Sequence, residues 1–390
     1  MRYRACSAIF ASSLLSSLAL TGCESDPPFE PQPRDPEVAS AQRVKIEWPG
    51  RQFRTLQNAI DAAPSGALIE IQAGDYFVGP LVIREDLELA GAGSGRNGRG
   101  PVTRLIGRPP DIIDGEGGVA RPAETEPHIA AYGIDLTVRD LVLRGLDAGI
   151  FANVDEAGRA GKTVVRDAVI EQAGRGIVAL GGGTLIVEDT DILATTWHGI
   201  SASEGFGGLF LKDIDIVGAG CAGIYVENLE ESVVTSDASV IGAACGGIVA
   251  FETSGFFLES ILLSNHYAGI ALVDAPVFHI LENVIQNTLS IGTSGLAGDG
   301  IALFLSPDVT IEDNLLFQSA RAGVAAYGSN VTIGDNTILC SAFDIDNEIF
   351  QGLPTTFDDE GGNQCGCGGP LGDCEAVSSQ ILPPPPVNQP

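Results

Sequence analysis

The sequence predicts an all-β fold: a single-stranded, right-handed parallel β-helix with three short strands per coil, a short N-terminal capping helix and a Cys-rich C-terminal cap. Three observations predict it. First, a Gly-Ile pair (once Gly-Val) recurs at Gly149-Ile150, Gly176-Ile177, Gly199-Ile200, Gly223-Ile224, Gly247-Ile248, Gly269-Ile270, Gly300-Ile301 and Gly323-Val324, with spacings of 27, 23, 24, 24, 22, 31 and 23 residues. A nearly fixed period with two insertions is the mark of stacked repeats. Second, two more short apolar runs lie between successive pairs, as in Leu185-Ile186-Val187 and then Ile192-Leu193. A coil of three such strands buries its apolar side only by stacking on other coils. Third, the residues two after each Ile are Ala152, Ala179, Ala202, Val226, Ala250, Leu272, Leu303 and Ala326. Columns of Ile and small residues suit a narrow interior. A β/α horseshoe has a similar period, but its helical half-repeat and Leu-rich consensus are missing.

In chain order, residues 1–22 read as a secretory signal. Arg2 and Arg4 precede an apolar, Ser-rich stretch over residues 8–20 that is too short to span a bilayer. It ends in Leu20-Thr21-Gly22-Cys23, which is similar to a bacterial lipobox. That resemblance implies lipid on Cys23 and a membrane anchor, and Glu24 in place of Asp implies the outer membrane. Residues 23–50 carry Pro27, Pro28, Pro31, Pro33 and Pro36 and read as an extended tether. The β-helix is expected over 51–340, and a Cys-rich cap with a Pro-rich tail over 341–390.

The formal charge is −30, and −32 once residues 1–22 and their two arginines are removed. Lys45, Lys162 and Lys212 are the only lysines. Nucleic acid is excluded as a partner, because phosphate binding needs clustered cations. Polyanionic sugars are disfavoured unless a divalent cation intervenes.

The repeats resemble the pectin-lyase-like superfamily of right-handed parallel β-helices. Its N-terminal pattern is present in Thr55-Leu56-Gln57-Asn58-Ala59-Ile60-Asp61-Ala62-Ala63-Pro64, followed by Ala67-Leu68-Ile69-Glu70-Ile71. The first piece reads as the capping helix, stopped by Pro64, and the second as the first strand. The resemblance implies the fold and a ligand face along the Gly-Ile strands. It does not imply one activity, since lyases, hydrolases, epimerases and adhesins share the fold.

Six cysteines follow Cys23: Cys221, Cys245, Cys340, Cys365, Cys367 and Cys374. Export predicts pairing. Cys221 and Cys245 hold the same repeat position, so a disulfide joins adjacent coils; the other four allow three pairings. The acidic run Asp344-Ile345-Asp346-Asn347-Glu348 reads as a polar loop, with calcium ligation as the alternative.

Two columns are expected to face outward from the Gly-Ile strands. One is Phe151, Val178, Ser201, Tyr225, Val249, Ala271, Ala302 and Ala325; the other is Asn153, Leu180, Ser203, Glu227, Phe251, Val273, Phe304 and Tyr327. This face is either an aromatic platform for neutral sugars, with Tyr225, Phe251, Phe304 and Tyr327 as its rings, or a surface covered by the 286–299 loop or a partner. Two constellations carry candidate chemistry. At the entry edge, Asp147 and Arg175 orient a substrate, Trp197 stacks on a sugar and His198 transfers a proton. At the exit edge, Glu204, Glu227 and Glu252 occupy successive coils, roughly 5–7 Å apart at the backbone, within the glycosidase carboxylate range of about 5–9.5 Å. The basic and acidic set of a Ca²⁺-dependent pectate lyase is absent, so any hydrolysis is expected on a neutral glycan. A further acidic column reads Asp140, Asp167, Asp189, Asp213, Asp237, Ser260, Glu282, Asp313 and Asp335. Capping of turn amides is its expected role; a structural Ca²⁺ between coils is the alternative. Asn283, Asn314 and Asn336 are expected to stack at one bend. The functional expectation is a membrane-anchored polysaccharide-binding protein of the envelope, with a scaffold that binds an envelope protein as the alternative.

Overall fold

The computed structural model describes residues 44–96, 98, 100–107, 127–290 and 297–380; the signal peptide, Cys23 and most of the tether lie outside the described residues. The chain begins its sheet earlier than expected. Lys45–Trp48 is a strand paired in parallel with Ala67–Ile71, and Trp48 is buried. Helix α1 (Leu56–Ala62) follows, with Thr55 Oγ1 accepting from the Asn58 N–H at 3.1 Å. That bond satisfies one open amide of the first turn. Leu56, Ala59 and Ile60 bury against the end of the core and close it.

The coils stack as parallel ladders in two sheets, one of 24 strands and one of 12. Each repeating coil gives two strands to the large sheet, here sheet A, joined into one continuous strand at Thr184–Leu193 and Gly208–Val217, and its Gly-Ile strand to sheet B. Register is that of the sequence period: Ile150 pairs with Ile177, Ile177 with Ile200, Ile200 with Ile224 and Ile224 with Ile248. These isoleucines are wholly buried. The preceding glycine is required by close approach. A Cβ on Gly223 would lie 2.2 Å from Val240 Cγ1 and 2.7 Å from the Gly247 carbonyl oxygen.

Coils turn at residues of positive φ. Between the two strands of sheet A, the corner is Asp140, Asp167, Asp189, Asp213, Asp237, Glu259, Glu282, Asp313 and Asp335, all at φ 47–58°. This corrects the acidic column at one place, where Glu259 replaces Ser260. The acids occupy the left-handed conformation itself, which Asp tolerates better than most residues. Ser260 instead heads a buried ladder. Its N–H donates to Asn283 Oδ1 (3.0 Å), Asn283 N–H to Asn314 Oδ1 (2.9 Å), Asn314 N–H to Asn336 Oδ1 (3.0 Å) and Asn336 N–H to Asn363 Oδ1 (3.0 Å).

The helix runs past residue 340. Phe343–Glu348 is a strand on Ala322–Tyr327, so the Asp344–Glu348 run belongs to the stack and is not a polar loop. Three disulfides form among the described residues: Cys221–Cys245 (Cα–Cα 4.5 Å), Cys340–Cys367 (4.5 Å) and Cys365–Cys374 (4.9 Å). The last two pin the cap. Beyond them Ser379 donates from its N–H and Oγ to Asp346 (3.0 and 2.9 Å), and the Gln380 N–H donates to Glu348 (2.6 Å). No helix of the described residues is long and apolar enough to cross a membrane.

Candidate functional site

Sheet B presents a different outer face in its two halves. In the C-terminal half the face is a second core. Tyr225, Val249, Ala271, Ala302, Phe304, Ala325 and Tyr327 are buried, and Tyr267, Ala297 and Phe350 pack over them. Phe304 stacks on Tyr327 with centroids 4.9 Å apart, and Phe350 meets both edge-on at 6.4 Å. Phe251 is half-buried against the same cluster. Of the 286–299 loop, residues 286–290 and 297–299 are described. The expected sugar platform of Tyr225, Phe304 and Tyr327 is thus corrected: the chain seals these rings itself, because large apolar side chains at sheet spacing gain more from burial than from water.

This covered half contains a buried ion pair. Arg321 Nε donates to Asp299 Oδ1 at 2.7 Å, a second bond joins Arg321 Nη2 to Asp299 Oδ2, and the Ala322 N–H donates to Asp299 Oδ1 at 3.1 Å. Both side chains are almost wholly buried. Burial pushes the nearby Tyr267 phenol up to about 12, with the Asp299 charge adding to the rise.

In the N-terminal half, the described residues leave a groove on this face. A groove of about 650 Å³ is lined by Val82, Arg84, Tyr132, Val154, Asp155, Glu156, Ala157 and Arg159. Arg84, Tyr132 and Asn153 follow one another in the column that continues to Ser203 and Glu227. Tyr132 and Phe151 lie 6.1 Å apart, centroid to centroid, and present a tilted aromatic pair. The Asp155 carboxylate accepts from the Ala157 and Arg159 amides (2.9 and 2.8 Å) and pairs with the Arg159 guanidinium (2.6 Å), which fixes the loop at the groove wall. The Arg159 amide and side chain hold Asp155 below the usual carboxylate range. Sequence reasoning missed Arg84, Tyr132, Asp155 and Arg159. The signal was weak, since His128-Ile129 takes the place of Gly-Ile in this coil.

The entry-edge residues do come together on successive coils. The Arg175 N–H donates to the Asp147 carbonyl (2.6 Å), and the Trp197 N–H to the Gly174 carbonyl (2.8 Å). Trp197 is 40 % exposed and His198 is buried. The Ala222 N–H donates to His198 Nδ1 at 3.2 Å, and the ring stacks on Tyr225 with centroids 4.8 Å apart. An accepting Nδ1 leaves the ring proton on Nε2. Burial, reinforced by the nearby Arg175 charge, lowers the His198 pKa to about 4. At neutral pH the ring is therefore an uncharged donor.

The three glutamates are not equivalent. Glu227 is in the strand, half-buried, and accepts from Tyr225 Oη at 3.0 Å. Glu204 and Glu252 are exposed, each on a corner of positive φ, and share a column with Asn228 between them. Two coils separate them, about 10 Å at a spacing near 4.8 Å per coil. None of the three lines the groove at Tyr132.

Residues 211–348 match the family described as periplasmic copper-binding protein (NosD). The residues present do not suit copper. Across that stretch Cys221, Cys245 and Cys340 are all in disulfides, the histidines are His266 and His279, and there is no methionine. No group of three or more His, Cys, Asp or Glu side chains among the described residues is placed to hold a metal ion. No curated protein matches the sequence. Solved structures do match. The mannuronan C-5 epimerase AlgE4 A-module of Azotobacter vinelandii aligns at 18 % identity and a TM-score of 0.54, over 83 % of this chain and 94 % of that one. The periplasmic alginate epimerase AlgG aligns at 10 % identity and 0.57, over 83 % of each. The catalytic unit of a thermostable GH87 α-1,3-glucanase from Streptomyces thermodiastaticus aligns at 14 % and 0.52, over 88 % of this chain and 72 % of that one. Identities this low speak to architecture alone and leave activity open; with the ladders above they show that the chain has the fold of a right-handed parallel β-helix.

Proposed function

We propose that the chain is an exported envelope protein, held to the outer membrane by lipid on Cys23, that binds an extended polysaccharide along the grooved half of sheet B without cleaving it. The observation that carries this reading is the contrast between the halves. One half is sealed by the chain's own side chains, while in the other the described residues leave a groove lined by Tyr132, whose ring meets Phe151, and by two arginines. Aromatic faces stack on sugar rings, and Arg84 and Arg159 supply donors for hydroxyl oxygens. Structurally similar proteins named as alginate epimerases and an α-1,3-glucanase support a glycan as the ligand class. Disulfides suit an oxidising compartment outside the cytoplasm.

Binding without cleavage follows from the acid–base groups. His198 holds its proton on Nε2 and has a base strength far below neutral, which makes it a poor proton acceptor. Glu227 is engaged by a phenol, and the groove is lined by none of the three glutamates. Titration calorimetry against a panel of neutral and acidic oligosaccharides tests the reading. Tyr132→Ala and Arg84→Ala are each expected to weaken binding about tenfold or more, roughly 1.4 kcal/mol, with an unchanged melting temperature. Reducing ends that accumulate with the wild-type chain and vanish in Glu227→Gln would replace binding by hydrolysis.

A further inference from the structure

The acidic corner of sheet A asks for more than a conformational explanation. A second corner, at the other end of the same coil arm, repeats equally often: Gly145, Gln172, Ala194, Gly218, Gly242, Ser264, Asn287, Gln318 and Cys340, all of positive φ. It contains no acid. Gly and Asn meet the left-handed requirement without charge, so φ alone does not explain nine acids in nine coils at the first corner. Carboxylates one coil apart repel one another, and the arrangement carries that cost along the barrel.

In the first half of this ridge the chain itself pairs two of the corner acids, Asp140 and Asp189, with arginines. Arg139 pairs with Asp140 (2.5 Å). Arg96 reaches across from a distant loop and donates to Asp191 (2.6 Å), Asp189 (3.3 Å), the Asp213 carbonyl (3.0 Å) and Asp215 (3.4 Å). The ridge thus already seats one guanidinium. Farther along, Asp237, Glu282 and Asp313 are exposed and make no ion pair among the described residues. The surface beside them changes as well. The outward positions of the adjoining strands from Ser239 to Leu339 include Ile241, Ile261, Leu263, Val284, Leu315 and Phe317 and carry no charge. Ile261 is 49 % exposed and Leu315 37 %, and on the other flank of the ridge Phe256 is 40 % exposed. A long apolar strip on a chain of charge −30 is an interaction surface by its composition.

We propose that this strip and its acidic ridge dock a basic, amphipathic segment of a partner protein, with arginines on Asp237, Glu282 and Asp313 in the manner of Arg96 and apolar side chains on Ile261, Leu315 and their neighbours. Charge complementarity selects the occupant. An anionic membrane surface or a nucleic acid is repelled by the ridge, and a second copy of this acidic chain would set ridge against ridge. The surface is on sheet A and is independent of the sugar groove on sheet B.

The test uses the full chain and a fluorescein-labelled 18-residue helical peptide with arginines along one edge and leucines along the next, read by anisotropy. The triple variant Asp237→Asn, Glu282→Asn, Asp313→Asn keeps residues that tolerate positive φ. It is expected to weaken binding at least tenfold, as is Ile261→Ser with Leu315→Ser. A control triple of equal charge change, Glu230→Gln, Glu231→Gln, Asp274→Asn, is expected to stay within twofold of wild type. Melting temperatures verify that each variant is folded. Failure of the wild type to bind the peptide, equal weakening by the control triple, or binding of anionic phosphatidylglycerol vesicles instead would overturn the proposal.

Discussion

His198 is held neutral by burial and by Arg175, and this has a thermodynamic consequence. A histidine with a folded pKa near 4 and an ordinary value of 6.5 binds fewer protons folded than unfolded between those pH values. Its contribution to stability is present above about pH 6.5 and is lost as pH falls towards 4. The full shift corresponds to about 3 kcal/mol. Urea titrations of wild type and His198→Gln across pH 4 to 7 are expected to show a shallower pH slope in the variant. Equal slopes would mean that the ring is not buried as described. Asp299 and Arg321 offer a second case at this scale. Breaking a buried pair leaves one charge without its partner, so Asp299→Ala is expected to cost about 3–5 kcal/mol in chemical denaturation. Nothing in the sequence marked this pair; Asp299 lies just before a Gly-Ile pair, and its burial depends on rings that arrive from Tyr267 and Tyr327.

At the scale of the strand and its corners, the sequence was most legible. The Gly-Ile period announces register because only glycine fits where a Cβ would strike the next coil, and Ile fills the interior behind it. The Asn ladder was visible at Asn283, Asn314 and Asn336, but its ends, Ser260 and Asn363, have no neighbouring repeat to mark them. Asn314 accepts from Asn283 through the backbone N–H (2.9 Å) and Nδ2 (3.0 Å), and its own Nδ2 donates to the Ile280 carbonyl (2.8 Å) and to Asn336 Oδ1 (3.0 Å). Asn314→Ala strands several buried groups at once and is expected to destabilise by about 2–4 kcal/mol. The corner acids behave in the opposite way. Asp313→Asn keeps a residue suited to positive φ and removes repulsion from Glu282 and Asp335, so it is expected to stabilise by about 0.5 kcal/mol. Asp313→Ala loses that suitability and is expected to cost about 1 kcal/mol. Thermal melts of the two variants, moving in opposite directions from wild type, check both statements.

For the whole molecule, the outer face of sheet B divides into a sealed part and a part that the described residues leave grooved, and the sequence did not show where the division falls. Columns of outward residues are readable from the period. Whether a column meets water depends on segments such as Ala297 and Phe350, whose path over the sheet has no periodic signature. The groove was hidden for the converse reason, because its coils carry Leu81-Val82-Ile83 and His128-Ile129 where later coils carry Gly-Ile. Chemistry suggested by spacing alone therefore fell partly on side chains that the fold covers. The central claim is that a glycan lies along the grooved half and nowhere over the sealed half. A crystal structure of the chain soaked with an oligosaccharide that binds in solution tests it most directly. The account predicts sugar rings against Tyr132 and Phe151 with hydroxyls on Arg84 or Arg159. A sugar seated over Phe304 and Tyr327, with Tyr267 and Phe350 displaced, would contradict it.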